Sequence, residues 1–88
     1  MKRIMAILTL DMENIPDNFQ EILVHEKQVV EEWKKLGYLH HLFLREERNG
    51  AILIFKDIEE NMVIDLITKL PLYQLKKSVE YFSLIQQF

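Results

Sequence analysis

The segment REERNGAILIFK, residues 45–56, decides the fold, because it joins a polar turn directly to an apolar strand. Its Asn49-Gly50 pair is the strongest short-range signal for a β-hairpin. Residues 51–56 predict one strand of this hairpin, and residues 38–46 predict its antiparallel partner. The hairpin lies in the middle of the chain, so the other elements can be placed outward from it.

A long helix is predicted on the N-terminal side of the hairpin. Asn14 or Asp17 is the expected N-cap, and Asp17 with Gln20 forms a capping-box pair. Gly37 stands where a C′ glycine would end the helix. Apolar residues recur at helical spacing between these ends, namely Phe19, Ile22, Leu23, Val29, Val30, Trp33 and Leu36.

A second helix is predicted after the hairpin. Asp57 is its expected N-cap, and Glu60 completes a capping box. Pro71 ends the helix, because the residue before a proline disfavours helical backbone. Apolar runs at residues 3–10 and 78–85 predict the two remaining strands.

The predicted element order is therefore β-α-β-β-α-β in a single domain, residues 1–88. Two right-handed βαβ crossings build a four-stranded antiparallel sheet with both helices on one face. This is the α+β plan of a ferredoxin-like sandwich.

The second face of this sheet is expected to be apolar as well. Of the 88 residues, 49% are hydrophobic, and apolar side chains fall on both faces of the predicted strands. A monomer would leave a large apolar patch in water. We therefore expect a homodimer, or a higher homo-oligomer, in which two sheets pack face to face as a dimeric α+β barrel.

Composition excludes several classes of function. The net charge of −3 and the lack of basic clusters argue against nucleic-acid binding. Without cysteine there are no disulfides, thiolate metal sites or cysteine nucleophiles. The chain carries no Gly-rich phosphate loop, no signal peptide is expected, and no apolar run is long enough to span a membrane. We expect a cytoplasmic protein that uses no metal and no cofactor.

Glu26 is the most informative polar residue. With Phe19 placed at 0° on a helical projection, Glu26 falls at about 340°, in the middle of the apolar stripe. A carboxylate buried there is costly unless it is paired or faces a cavity, and desolvation raises its pKa. That pattern suits a general acid or base. The alternative is a structural glutamate that leans into solvent or pairs with a nearby base.

Histidine and arginine residues on the strands supply further candidates. Alternation along a strand predicts that His40 and His41 point to opposite faces, which argues against a shared metal ion. Arg3 or Arg45 could clamp a substrate carboxylate, although ordinary solvation at a strand end is the favoured interpretation for both.

Aromatic side chains could line a pocket for a small molecule. The candidates are Trp33, Tyr38 and Tyr73, of which Trp33 is expected to lie in the core.

The chain resembles the muconolactone isomerase-like family of small dimeric α+β barrels over roughly residues 19–85. The most specific matching segment is Leu-Pro-Leu-Tyr at residues 70–73. The other matching positions are Glu26-Lys27, Gly37, His41-Leu42-Phe43, Ile54-Phe55, Glu80 and Leu84.

This resemblance implies an enzyme that shifts a double bond in a small carboxylated substrate such as an unsaturated lactone. Glu26 would be the base and His41 a donor to the developing enolate oxygen. Lys27 or Arg45 would hold the carboxylate. The alternative is a non-catalytic module of the same fold that binds a small molecule or a partner, and a cofactor-free monooxygenase is a third option.

Overall fold

The computed structural model describes residues 2–88 and shows the predicted order of strands and helices. The strands are β1 (Lys2–Leu10), β2 (Leu39–Leu44), β3 (Gly50–Lys56) and β4 (Lys76–Ile85). The helices are α1 (Phe19–Lys35) and α2 (Glu60–Thr68). Two short 3-10 segments, Met12–Asn14 and Pro71–Leu75, precede α1 and β4 respectively.

The four strands form one antiparallel sheet in the order β2-β3-β1-β4. In the register of the central strand, Met5 lies opposite Ile54 on β3 and Phe82 on β4. β2 and β3 form the hairpin, and each helix connects two strands that have a third strand between them. The ferredoxin-like α+β fold is thereby confirmed.

The core lies between the two helices and one face of the sheet. Alternate residues of β1 point toward the helices, so that Ile4, Ala6, Leu8 and Leu10 are all buried. The rings of Trp33 on α1 and Phe55 on β3 pack with their centroids 5.7 Å apart. The remaining buried residues of this core are Val30, Leu39, Leu53, Val63, Ile67, Leu70 and Leu72.

The opposite face of the sheet carries apolar side chains that no helix covers. Ile52 lies between its cross-strand partners Ile7 and Phe43, and Phe82 lies opposite Met5. Phe43 is 56% exposed and Phe82 is 43% exposed. The expected second apolar face is therefore present. No helix among residues 2–88 is long and apolar enough to cross a bilayer.

The end of α1 was predicted correctly and its start was not. Gly37 adopts φ +83°, and the amides of Gly37 and Tyr38 donate to the carbonyls of Lys34 and Trp33. These two bonds define a Schellman motif, which satisfies carbonyls that the helix leaves unpaired.

The start of α1 lies later than Asn14 or Asp17. The helix begins at Phe19, and its N-cap, Asn18, makes no side-chain capping bond. Asp11 caps the preceding 3-10 segment instead, by accepting from the amide of Glu13. The expected capping box of Asp17 and Gln20 does not form, because the separate 3-10 segment and Pro16 delay the helix.

One residue in a turn also differs from prediction. Asp57 has φ +60° and forms a left-handed turn, so α2 begins at Glu60 with Glu59 as its N-cap. In the hairpin, Arg48 takes the left-handed conformation, with φ +61°. Gly50 opens β3, where a side chain would collide with the carbonyl of Leu8.

The surroundings of Gly37 and Gly50 predict that alanine substitutions at these positions lower the free energy of unfolding by different amounts. Gly37→Ala should lower the free energy of unfolding by about 1 kcal/mol, because only the left-handed backbone opposes the methyl group. Gly50→Ala should cost more, about 2–3 kcal/mol, because β1 and β3 must separate to admit it. Urea unfolding of both variants measures the difference. Equal losses of unfolding free energy in the two variants would contradict the close approach of β1 and β3.

Candidate functional site

An open cavity of about 720 Å³ lies between α1 and the edge strand β2. It exists because α1 does not cover the helix-facing side of β2, where Leu42 is 42% exposed and Leu44 is 78% exposed. Leu23 and Val30 of α1 form the opposite wall. We name this space the Glu26 cavity after the carboxylate in its lining.

Glu26 is half-buried in the wall of this cavity. Its Oε1 atom accepts a hydrogen bond from the backbone N–H of Leu72, with a distance of 3.1 Å between nitrogen and oxygen. Burial raises the pKa of the Glu26 carboxyl above its ordinary value, and the bond from Leu72 partly opposes that rise. The group is therefore easier to protonate than an exposed glutamate, which suits a residue that accepts and returns a proton.

The bond from Leu72 depends on the 3-10 segment that follows α2. Pro71 occupies its first turn, and Leu72 comes next. The first N–H groups of a helical segment have no partner within it. The Glu26 carboxylate satisfies one of them, so α1 and the 3-10 segment hold each other in place. The sequence pattern predicted a buried Glu26 and did not reveal Leu72, which lies 46 residues away.

Two lysines of α1 lie at the rim of the Glu26 cavity. Lys27 was a predicted candidate, and Lys34 was not. Seven residues separate them, which places both on one side of the helix, with Glu31 between them. Their spacing was a usable signal, since residues i and i+7 share a helix face.

His40 and His41 do not point to opposite faces. A β-bulge between Leu39 and His41 interrupts the register with β3. The extra residue brings both imidazoles to one side, with their ring centroids 4.0 Å apart. Bulges are not visible in an alternating sequence pattern, so this expectation was wrong.

The histidine pair lies on the side of the sheet that the helices leave uncovered. His41 pairs with Ile54, and its ring is 5.9 Å from that of Phe43. His40 accepts a hydrogen bond at Nδ1 from Nε of Arg3. Partial desolvation of this exposed residue, together with the charges of His41, Arg3 and Lys56, lowers the pKa of His40, and Asp57 partly opposes this shift. Both histidines also contribute to the rim of the Glu26 cavity.

The other predicted site residues lie elsewhere. Arg45 lines a second cavity, and its guanidinium contacts Thr9 Oγ1 at 3.3 Å and Glu47 at 3.9 Å. Trp33 is only 5% exposed and belongs to the core, as expected. Tyr73 packs against the core with the ammonium of Lys76 4.6 Å from its ring centroid.

The structure thus brings Glu26, Lys27 and His41 to one cavity and leaves Arg45, Trp33 and Tyr73 outside it. In the part of the chain that the structure describes, no three His, Cys, Asp or Glu side chains cluster as metal ligands.

Comparison with known proteins finds similarity in structure and not in sequence. No protein-family model matches the chain, and the search of curated proteins finds no match. The crystal structure of muconolactone isomerase is similar, with a TM-score of 0.76 and 17% identity over 99% of this chain and 91% of that one. An antibiotic biosynthesis monooxygenase has a TM-score of 0.67 and 11% identity, covering 98% of both chains.

A third similar structure is 5-chloro-2-hydroxyhydroquinone dehydrochlorinase from Burkholderia phenoliruptrix in complex with 2,5-dihydroxybenzoquinone. Its TM-score is 0.62 and its identity 10%, over 91% of this chain and 90% of that one. At these identities the comparisons show a shared fold, that of the dimeric α+β barrel proteins. They include an isomerase, a monooxygenase and a dehydrochlorinase, so the fold alone does not choose a reaction.

The position of Glu26 predicts a pH dependence of stability. Between the ordinary carboxyl pKa and the raised pKa, the folded protein binds more protons than the unfolded chain. The free energy of unfolding should therefore fall as pH rises through this window. Glu26→Gln keeps an acceptor for Leu72 but cannot ionise, so this part of the decline should disappear in urea unfolding at a series of pH values.

Glu32→Gln is the matched control, because Glu32 lies exposed on the same helix. Its stability should follow that of the wild type across the pH range. Identical pH profiles for Glu26→Gln and the wild type would contradict the burial of an ionisable Glu26.

Proposed function

We propose that the protein binds a small carboxylated molecule in the Glu26 cavity and isomerises it by proton transfer, in the manner of muconolactone isomerase. The observation that carries this proposal is the half-buried carboxyl of Glu26, whose pKa is raised, in a cavity lined mainly by apolar side chains. An apolar wall strengthens charge interactions with a bound substrate, because it excludes water.

The chemistry requires one group that accepts and returns a proton. Glu26 removes a proton from a carbon next to the substrate carbonyl, and the electron pair moves onto the carbonyl oxygen as an enolate. The protonated Glu26 then returns the proton to another carbon of the conjugated system, and the double bond shifts. No atom is gained or lost, so a single carboxyl suffices as base and acid.

Lys27 is the better candidate for holding the substrate carboxylate. It lies at the rim of the Glu26 cavity, whereas the Arg45 guanidinium is engaged by Thr9 and Glu47 beside a different cavity. An ammonium at the rim supplies a point charge without occupying the interior. His41 remains a proposed donor to the enolate oxygen, and its ring would need to turn from Phe43 toward the cavity.

The fold supports this proposal without deciding the reaction. Muconolactone isomerase has a TM-score of 0.76 over nearly the whole chain, at 17% identity. Because monooxygenases share the fold, the choice of proton transfer rests on Glu26 itself. A protein that binds the same ligands without reacting is the alternative, and the experiment below separates the two.

Proton exchange at carbon tests the reaction. An unsaturated γ-lactone bearing an acetate side chain is incubated with the protein in deuterium oxide, and loss of its proton NMR signals is followed. The wild type should speed exchange over buffer, and Glu26→Gln should slow it by at least about 100-fold. His41→Ala should have a smaller effect, because its ring faces Phe43 in the unliganded protein.

Glu32→Gln serves as the control here as well and should exchange at the wild-type rate. Binding of the lactone without exchange by the wild type would support the non-catalytic alternative. Exchange by Glu26→Gln at the wild-type rate would exclude Glu26 as the base.

The uncovered face of the sheet supports a homodimer. Met5, Ile7, Ile52, Ile54 and Phe82 form a continuous apolar surface across three strands. Two copies packed through this surface would bury it and give the barrel expected from the sequence. We place this assembly in the cytoplasm, as the sequence led us to expect.

A charge in the centre of this surface should separate the copies. In sedimentation at micromolar concentration, the wild type should show twice the single-chain mass of 10.6 kDa. Ile52→Lys should sediment as a single chain, because a buried ammonium without a partner is costly. Leu36→Lys, at an exposed leucine after α1, is the control and should remain dimeric. A wild type of single-chain mass would refute the dimer.

A further inference from the structure

The Glu26 cavity continues into a second cavity of about 750 Å³, which we name the hairpin cavity because Arg45, Glu46 and Arg48 of the β2–β3 loop lie at its rim. Four residues line both cavities, namely Leu23, Leu44, Ala51 and Leu72. Shared walls mean that the two spaces adjoin. Together they form one groove beneath α1, with the Glu26–Leu72 hydrogen bond near its middle.

The two ends of this groove differ in chemistry. Lys27 and Lys34 lie at the rim of the Glu26 cavity, where they can attract an anion. The hairpin cavity is floored by Leu8 and Leu10 of β1 and bounded by Phe19 of α1. Leu8 is 1% exposed and Leu10 is 7% exposed, so this floor is firmly packed core.

We propose that the natural ligand has two parts: an anionic head beside Lys27 and an apolar arm, a ring or a short hydrocarbon chain, in the hairpin cavity. The position of the head rests on the proposed function. The arm rests on the size and lining of the groove, since cavities of roughly 300–1,000 Å³ accommodate ligands of drug size. A one-ring acid would leave the hairpin cavity empty.

Ala51 controls the passage between the two cavities. It lies on β3 opposite Leu8 and Leu44 and is the smallest of the four shared residues. A larger side chain at this position would narrow the groove where the arm must cross. The size of this side chain therefore determines which ligands can use both cavities.

Two matched probes test the proposal by NMR titration: benzoate, with one ring, and biphenyl-4-carboxylate, with an added ring. Biphenyl-4-carboxylate should bind at least about tenfold more tightly, because the second ring buries additional apolar area. It alone should shift the amide signals of Leu10 and Phe19, which line only the hairpin cavity. Ala51→Leu should remove this advantage, because the larger side chain narrows the passage to the hairpin cavity.

Met12→Ala provides a second variant that does not depend on core packing, because Met12 is 44% exposed and lines only the hairpin cavity. It should weaken biphenyl-4-carboxylate by at least about threefold while sparing benzoate. Leu36→Ala is the control, since Leu36 is also exposed and lines neither cavity. Equal affinity of the two probes, or an advantage unchanged by both Ala51→Leu and Met12→Ala, would overturn the proposal.

These binding results are independent of proton exchange. A protein that prefers biphenyl-4-carboxylate and exchanges no protons would support the two-part ligand and refute the proposed reaction. A protein that exchanges lactone protons and binds both probes equally would support the proposed reaction and refute the two-part ligand.

Discussion

The hydrogen bonding of β1 to β3 on one side and β4 on the other holds the two halves of the chain together. The first βαβ crossing contains β1 itself, and both strands of the second crossing, β3 and β4, pair with β1, so neither half can close its sheet without it. Alternation along β1 also assigns the faces: Ile4, Ala6 and Leu8 pack under the helices, while Met5 and Ile7 point the other way. The core and the uncovered surface both follow from this one strand.

Patterns that repeat along the chain were sufficient to predict the architecture. Apolar alternation and helical spacing predicted the element order. The position of Gly37 predicted the end of α1, and this glycine does adopt the left-handed conformation. The incorrect predictions concern single residues that are suited to more than one local role, such as a helix cap or a turn. Asp57 has the chemistry of an N-cap and instead occupies a left-handed turn, and Asp11 caps a 3-10 segment that the apolar pattern does not show.

The site was predictable to the extent that helix geometry determines it. Glu26 follows from its angle on α1, because a regular helix converts sequence spacing into direction. Lys27 was expected only from the family resemblance. Strand β2 gave less information, since the bulge near His40 reverses the expected direction of one histidine. The Leu72 amide could not be found from sequence, because a backbone donor 46 residues away carries no residue-type signal.

The hydrogen bond between Glu26 and Leu72 has a consequence for the far edge of the sheet. The 3-10 segment that contains Leu72 leads without a break into β4, which lies at the opposite edge from β2. A change in the charge of Glu26 alters the strength of this bond and therefore the restraint on the start of β4. By thermodynamic reciprocity, whatever stabilises β4 must also bias the protonation of Glu26.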